Sequence, residues 1–115
     1  MCEARVRPPL KSITFVVMDI QDCSEIWQAH SGIMQHATEQ FTNCVRTHLL
    51  ETSGYETQRQ GDAFLLVFRS SNDALHFCVS VQRDLMTYDW PPALELLPAA
   101  ETVTRHSQPI FRGIR

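Results

Sequence analysis

Two aspartates each stand at the end of a short apolar segment. Ile13-Thr14-Phe15-Val16-Val17-Met18 runs straight into Asp19, and Gly61-Asp62 opens Ala63-Phe64-Leu65-Leu66-Val67-Phe68. Burying an unpaired carboxylate is costly, so such groups are hydrogen-bonded, paired or metal-bound. Two carboxylates about 4 Å apart repel by roughly 4 kcal/mol at an effective dielectric of about 20, and a divalent cation between them reverses that sign. Hard oxygen donors suit Mg²⁺ or Mn²⁺ rather than zinc. Magnesium held by one or two carboxylates completes its shell with water and substrate phosphates, so the pair points to a nucleotide polyphosphate. Gln21-Asp22-Cys23-Ser24 follows Asp19 and leads into a helix, whose free N–H groups favour phosphate oxygens. Asp22 puts negative charge in the same place and is also a helix-cap type. Each acid has an ordinary reading beside the chemical one: Asp62 after glycine is a common turn residue, and Asp19 a strand-end cap.

The elements around the acids decide whether they can meet. Ile13 to Met18 is a continuous apolar, β-branched run, the pattern of a strand buried on both faces. Cys23 to His30 forms a short helix, broken at Ser31-Gly32. A longer helix follows over 33–51, with Met34, Ala37, Phe41, Cys44, Val45 and Leu49 recurring at three- and four-residue steps. Ser53-Gly54 ends it, with glycine just past the C-terminus. Tyr55 to Gln58 is a second strand, Gln60-Gly61-Asp62 a tight turn, and Ala63 to Phe68 a third strand. Ser70-Ser71-Asn72-Asp73 offers N-caps for a helix over 73–87, with Leu75, Cys78, Val79, Gln82 and Leu85 as its inner stripe. Pro91-Pro92 and Pro98 bracket an irregular stretch to Gln108, and Trp90 packs over the end of the last helix.

Strand, helices, strand, strand, helix is the opening of a β-α-β-β-α-β split motif, a ferredoxin-like α+β fold. In that motif the first strand pairs with the third. The end of the first strand and the hairpin between the second and third then share one sheet edge, where Asp19 and Asp62 can meet. The motif's last strand is missing; an apolar run is only beginning at Ile110-Phe111, so the sequence reads as truncated.

With 115 residues, 43% of them hydrophobic, the chain fits one domain over 12–115 after a lead-in over 1–11. A net charge of −3 with no basic face argues against a nucleic-acid partner. No apolar run approaches the roughly 20 residues of a membrane helix, and no signal peptide is evident. A cytoplasmic domain is expected, with membrane anchoring of a longer parent left open. The cysteines at 2, 23, 44 and 78 form no C-x-x-C and no paired spacing with histidine, and read as reduced thiols. The five histidines show no H-E-x-x-H, which makes a zinc reading weak.

Taken in order, these residues resemble the class III nucleotide cyclase catalytic domain, in its fungal and protozoan-like adenylate cyclase branch. The family's F-T-D-I-x-x-S-T motif, followed by a tryptophan, corresponds to Val17-Met18-Asp19-Ile20-Gln21-Asp22-Cys23-Ser24 and then Trp27. Its G-Y-E-V-K-T-x-G-D-x-F motif corresponds to Gly54-Tyr55-Glu56-Thr57-Gln58-Arg59-Gln60-Gly61-Asp62-Ala63-Phe64. A V-Q-x-x-L element and a W-P follow as Val81-Gln82-Arg83-Asp84-Leu85 and Trp90-Pro91, and Phe111-Arg112-Gly113-Ile114-Arg115 resembles the lead into an R-V-G-I-H strand.

The resemblance implies conversion of ATP, or less readily GTP, to a 3′,5′-cyclic nucleotide and pyrophosphate in intracellular signalling. It implies two Mg²⁺ or Mn²⁺ ions held by Asp19, Asp62 and the Ile20 carbonyl, with Ile20 to Ser24 against the phosphates. It also implies a second cyclase domain as partner, because the family builds its site across a dimer interface. Gln58 stands at the purine-selecting position, where adenylate cyclases carry lysine and guanylate cyclases glutamate; glutamine both donates and accepts. Thr57 and Arg59 replace the usual valine and threonine. The family's later purine-binding aspartate and its transition-state asparagine and arginine fall beyond Arg115, so the fragment alone is expected to be inactive. The alternative is a catalytically degenerate cyclase-like domain that serves as a dimerisation or regulatory module. A receiver-type acidic pocket fits less well, because the hairpin at Gly61-Asp62 breaks strict βα alternation.

Overall fold

Pairing of the first strand with the third organises the whole domain. A computed structural model describes residues 12–115; the expected lead-in over 1–11, with Cys2, lies outside the described residues. The elements are β1 (Thr14–Met18), α1 (Cys23–Ala29), α2 (Ser31–Thr52), β2 (Tyr55–Gln60), β3 (Ala63–Phe68) and α3 (Ser71–Thr87). A short 3₁₀ turn (Pro92–Leu96) and a hairpin of β4 (Val103–Arg105) and β5 (Gln108–Phe111) follow. The sheet order is β1-β3-β2 with both pairs antiparallel. The split-motif opening is therefore present, and the fold is α+β.

α2 and α3 lie on one face of this sheet. Met34, Ala37, Phe41, Cys44, Val45 and Leu49 of α2 are buried, as their periodicity requires, against Phe64, Leu66 and Phe68 of β3. Aromatic packing continues the layer: Phe41 and Phe64 meet edge-on at 5.9 Å between centroids, and Phe68 and Phe77 at 5.2 Å. The expectation that β1 is buried on both faces is corrected. Val16 and Met18 pack inward, whereas Phe15 is 58% and Val17 75% exposed, because the helices cover a single face. A continuous apolar run does not distinguish a strand covered twice from one whose second face is open.

The stripe of α3 is also corrected. Its buried residues are Ala74, Phe77, Val81 and Leu85, with Cys78 at the margin, while Leu75 and Val79 are exposed. Both sets recur at helical spacing, and the side that docks is the one carrying Phe77, which reaches Phe68. α3 begins earlier than expected, at Ser71, because Ser70 caps it by accepting the Asp73 amide at 3.1 Å. Ser31-Gly32 does not separate the first two helices; the joint is His30 alone. At the end of α2 the left-handed residue is Ser53 (φ 57°), not Gly54. Gly54 is required for space instead: a Cβ there would lie 2.5 Å from Leu49 and from the Phe68 ring.

Two side chains from later in the sequence close the C-terminal end of α3. The Trp90 indole N–H donates to the Leu85 carbonyl at 2.7 Å, and the Arg112 guanidinium donates to the Met86 and Tyr88 carbonyls. Trp90 is buried at that helix end, as expected. The stretch from Pro91 to Gln108, expected to be irregular, contains the 3₁₀ turn and β4, and His106-Ser107 links β4 to β5 with both residues at positive φ, as two-residue hairpin turns require. Among the described residues no helix is long and apolar enough to cross a membrane.

Candidate metal and nucleotide site

The β1–β3 register brings the two acids to one edge. Met18 is paired with Phe64, so the chain leaving β1 passes directly over the turn that begins β3. That turn is tight: Gln60 pairs with Ala63, and Gly61 supplies the positive φ (63°). Asp62 is half-buried, and its Oδ2 accepts the Ile20 backbone N–H at 3.0 Å. The Ile20 side chain is buried in the core, which pins the segment immediately after Asp19. Asp19 itself is exposed.

Cys23, at the start of α1, sits beside both carboxylates. Burial pushes its thiol above the ordinary value, and the charge of Asp62, a hydrogen bond to that same carboxylate and the charge of Asp19 push it further in the same direction. A neutral S–H beside two carboxylates donates to one of them and adds no negative charge.

The remaining residues of the segment are placed as follows. The Gln21 amide donates to the Arg115 carbonyl at 2.6 Å, and the Ile20 amide to Asp62, so neither N–H is free for a phosphate in this arrangement. Asp22 occupies the position before α1 in the left-handed region (φ 54°), and its side chain makes no cap hydrogen bond, which corrects the capping alternative. Ser24 is exposed in the first turn of α1. Gln58 pairs with Leu65, which in turn pairs with Val17. Cross-strand partners share a face, so Gln58 lies on the open face with exposed Val17, and strand alternation carries Asp19 to that face too. By sheet spacings, Gln58 and Asp19 are about 10 Å apart across the strands and about 7 Å along them.

Arg59 is the residue whose part the sequence does not announce. It points to the helical face, where its Nε donates to the Gly61 carbonyl at 3.0 Å, its Nη2 to Thr42 Oγ1 at 3.1 Å, and its guanidinium lies 5.4 Å from the Phe64 ring centroid. It thus ties the Gly61-Asp62 turn to α2. The only signal in the sequence is an arginine two residues before a turn glycine.

This sheet order with helices on one face is the fold of a nucleotide cyclase catalytic domain. Two solved structures of adenylate cyclases from Trypanosoma brucei in their monomeric state superpose on it. One has a TM-score of 0.71 over 80% of this chain and 46% of its own, the other 0.72 over 76% and 39%, each at 22% identity. No protein-family model matches the chain. In sequence it is 30% identical over 112 residues to an adenylate cyclase of Neurospora crassa and 32% identical over 110 residues to one of Schizosaccharomyces pombe. A Mycosarcoma maydis adenylate cyclase is 32% identical over 113 residues. These alignments take in 95–97% of this chain but only 4–6% of the relatives' lengths. In sequence the chain is thus similar to one short segment of these fungal adenylate cyclases, and in fold to part of the trypanosome ones.

Proposed function

We propose that the chain is the metal-binding half of a nucleotide cyclase catalytic domain that forms cyclic nucleotide and pyrophosphate from a nucleoside triphosphate, ATP in preference to GTP. One relationship carries this reading: the Asp62 carboxylate is clamped by the amide that follows Asp19, so two acids from distant segments are held at one sheet edge. The donor set suits Mg²⁺ or Mn²⁺. Asp62 spends Oδ2 on the Ile20 amide and keeps the other oxygen for a cation, and exposed Asp19 can turn toward the same place. The Ile20 carbonyl is the third ligand in this reading. Two bound ions would acidify the ribose 3′-hydroxyl for in-line attack on the α-phosphorus and neutralise the departing pyrophosphate.

The chain's own residues orient these events. Asp62 and Ile20 hold the Asp19 segment rigid, and Arg59 holds the turn. With the Ile20 and Gln21 amides engaged, phosphate contacts within Ile20 to Ser24 fall to Asp22, Cys23 and Ser24. Gln58, on the open face, reads the purine edge by donating and accepting. A second cyclase domain covers that open face, where Phe15 and Val17 stand exposed.

The second reading, a regulatory dimer partner without turnover, is favoured by the engaged Gln21 amide and by the uncapping Asp22 charge at the phosphate segment. The test is cyclic-nucleotide formation by the parent domain with Mn²⁺ and either ATP or GTP. The catalytic reading expects product and its loss in Asp19→Ala. No product with either substrate, or unchanged turnover in Asp19→Ala, refutes it in favour of the regulatory module.

A further inference from the structure

Away from the sheet edge, in the helical layer, a cysteine, a histidine and an aspartate converge. Cys44 and His48 stand one helical turn apart on α2, and Asp84 reaches them from α3. One ligand atom from each lies within 4.8 Å of the other two. Cys44 is 2% exposed and the His48 side chain 11%. His48 Nε2 is 2.5 Å from Asp84 Oδ2, and Glu51 Oε1 lies 2.9 Å from Nδ1 on the other side of the ring. This corrects the view that the cysteines and histidines share no ligand spacing: i and i+4 on one helix is such a spacing.

We propose that Cys44 Sγ, His48 Nε2 and the Asp84 carboxylate form a site for a borderline-soft divalent cation, Zn²⁺, which staples α2 to α3. The donor set of one sulfur, one imidazole and one carboxylate is that of a zinc site with three protein ligands. Glu51 stands where a carboxylate supports the far nitrogen of a metal-bound histidine. Nδ1 is buried and Glu51 is near, yet not aligned for a hydrogen bond, so a small rotation of this exposed side chain completes that support. Charge argues the same way. Two carboxylates face one imidazole, which leaves the cluster negative whether His48 is neutral or protonated, and a dication offsets this. Tyr88, just past α3, lies close to the Cys44 sulfur.

Binding requires a modest change. Ligand atoms of a tetrahedral site are about 3.3 Å apart, so Asp84 must retreat from Nε2, which its 46% exposed side chain permits. Burial and the Asp84 charge hold Cys44 as a neutral thiol, so as the sulfur–metal bond forms one proton leaves Sγ for solvent.

Co²⁺ titration of the 115-residue chain, followed by visible and near-ultraviolet absorption, tests this. The expected result is a thiolate-to-cobalt charge-transfer band at one Co²⁺ per chain, displaced by stoichiometric Zn²⁺. The band is lost in Cys44→Ser and at least tenfold weaker in affinity in Asp84→Asn, whose exposed side chain tolerates substitution without loss of the helical circular-dichroism signal. It persists in Cys23→Ser, which separates this site from the Asp19–Asp62 edge. Absence of the band in the folded wild-type chain, its survival in Cys44→Ser, or unchanged affinity in Asp84→Asn overturns the proposal.

Discussion

Asp62 accepts a hydrogen bond from the Ile20 amide at 3.0 Å across 42 residues of chain. The bond joins the residue after one acid to the side chain of the other. In the proposed site Asp62 therefore serves both metal binding and local stability, whereas Asp19 serves metal binding alone. Asp62→Ala should cost about 1–2 kcal/mol in urea unfolding, because it removes a charged acceptor from a part-buried amide. Asp19→Ala, at an exposed position, should cost less than about 0.5 kcal/mol. Both should abolish Mn²⁺ binding measured by calorimetry. Equal stability losses would show that the clamp contributes nothing.

Arg59→Ala should loosen the turn that presents Asp62. It removes donors to Gly61 and Thr42 and a cation stacked on Phe64, and should lower stability by about 1 kcal/mol. Mn²⁺ affinity should fall as well, although Arg59 touches no metal ligand. Arg59→Lys should recover only part of both, since an ammonium cannot fork between two acceptors.

Gly113→Ala should be among the most damaging single changes. Gly113 has φ +75°, and a Cβ there would lie 2.1 Å from the Trp90 indole nitrogen. The buried ring that closes the end of α3 would have to move. A loss of about 2 kcal/mol or more is expected in thermal unfolding, with a red-shifted tryptophan emission as the ring meets water.

Alkaline pH should destabilise the metal-free chain. Burial pushes the Cys44 and Cys78 thiols above their ordinary value of 9.0 and the Tyr88 phenol above 10.0. Each group then binds more protons folded than unfolded once pH passes its unfolded value, so stability falls there. The urea midpoint should be flat with respect to these groups below about pH 8.5 and decline steadily above about pH 9. A midpoint that rises over that range would contradict this.

Val17→Lys places a charge on the open face where 75% of the side chain is already exposed. Stability of the isolated chain should change by less than about 0.5 kcal/mol. Association of the parent domain, followed by sedimentation, should weaken if a second domain covers that face; unchanged association would remove the face from the interface.

Much of the fold was legible because local signals and tertiary structure agree. The α2 stripe from Met34 to Leu49 is buried as its spacing requires, and Gly61 takes the positive φ its turn needs. What misled were signals with two solutions. Leu75 and Val79 recur as well as Phe77 and Val81 do, and only the aromatic partner at Phe68 decides which side docks. Ser53 takes the left-handed position that glycine usually holds, because the neighbouring Gly54 is needed where Leu49 and Phe68 close in.

By itself, the sequence determined the order of elements and the pair of acids, since periodicity, turn chemistry and a charge beside an apolar strand are all properties of neighbouring residues. Only the tertiary structure decided that Asp62 is clamped by Ile20, that Arg59 braces the turn from α2, and that Cys44, His48 and Asp84 meet between two helices. Those relationships join residues 17 to 42 positions apart where the groups are hydrogen-bonded. Contacts at such separations are set by how helices pack on a sheet, and no local pattern encodes them.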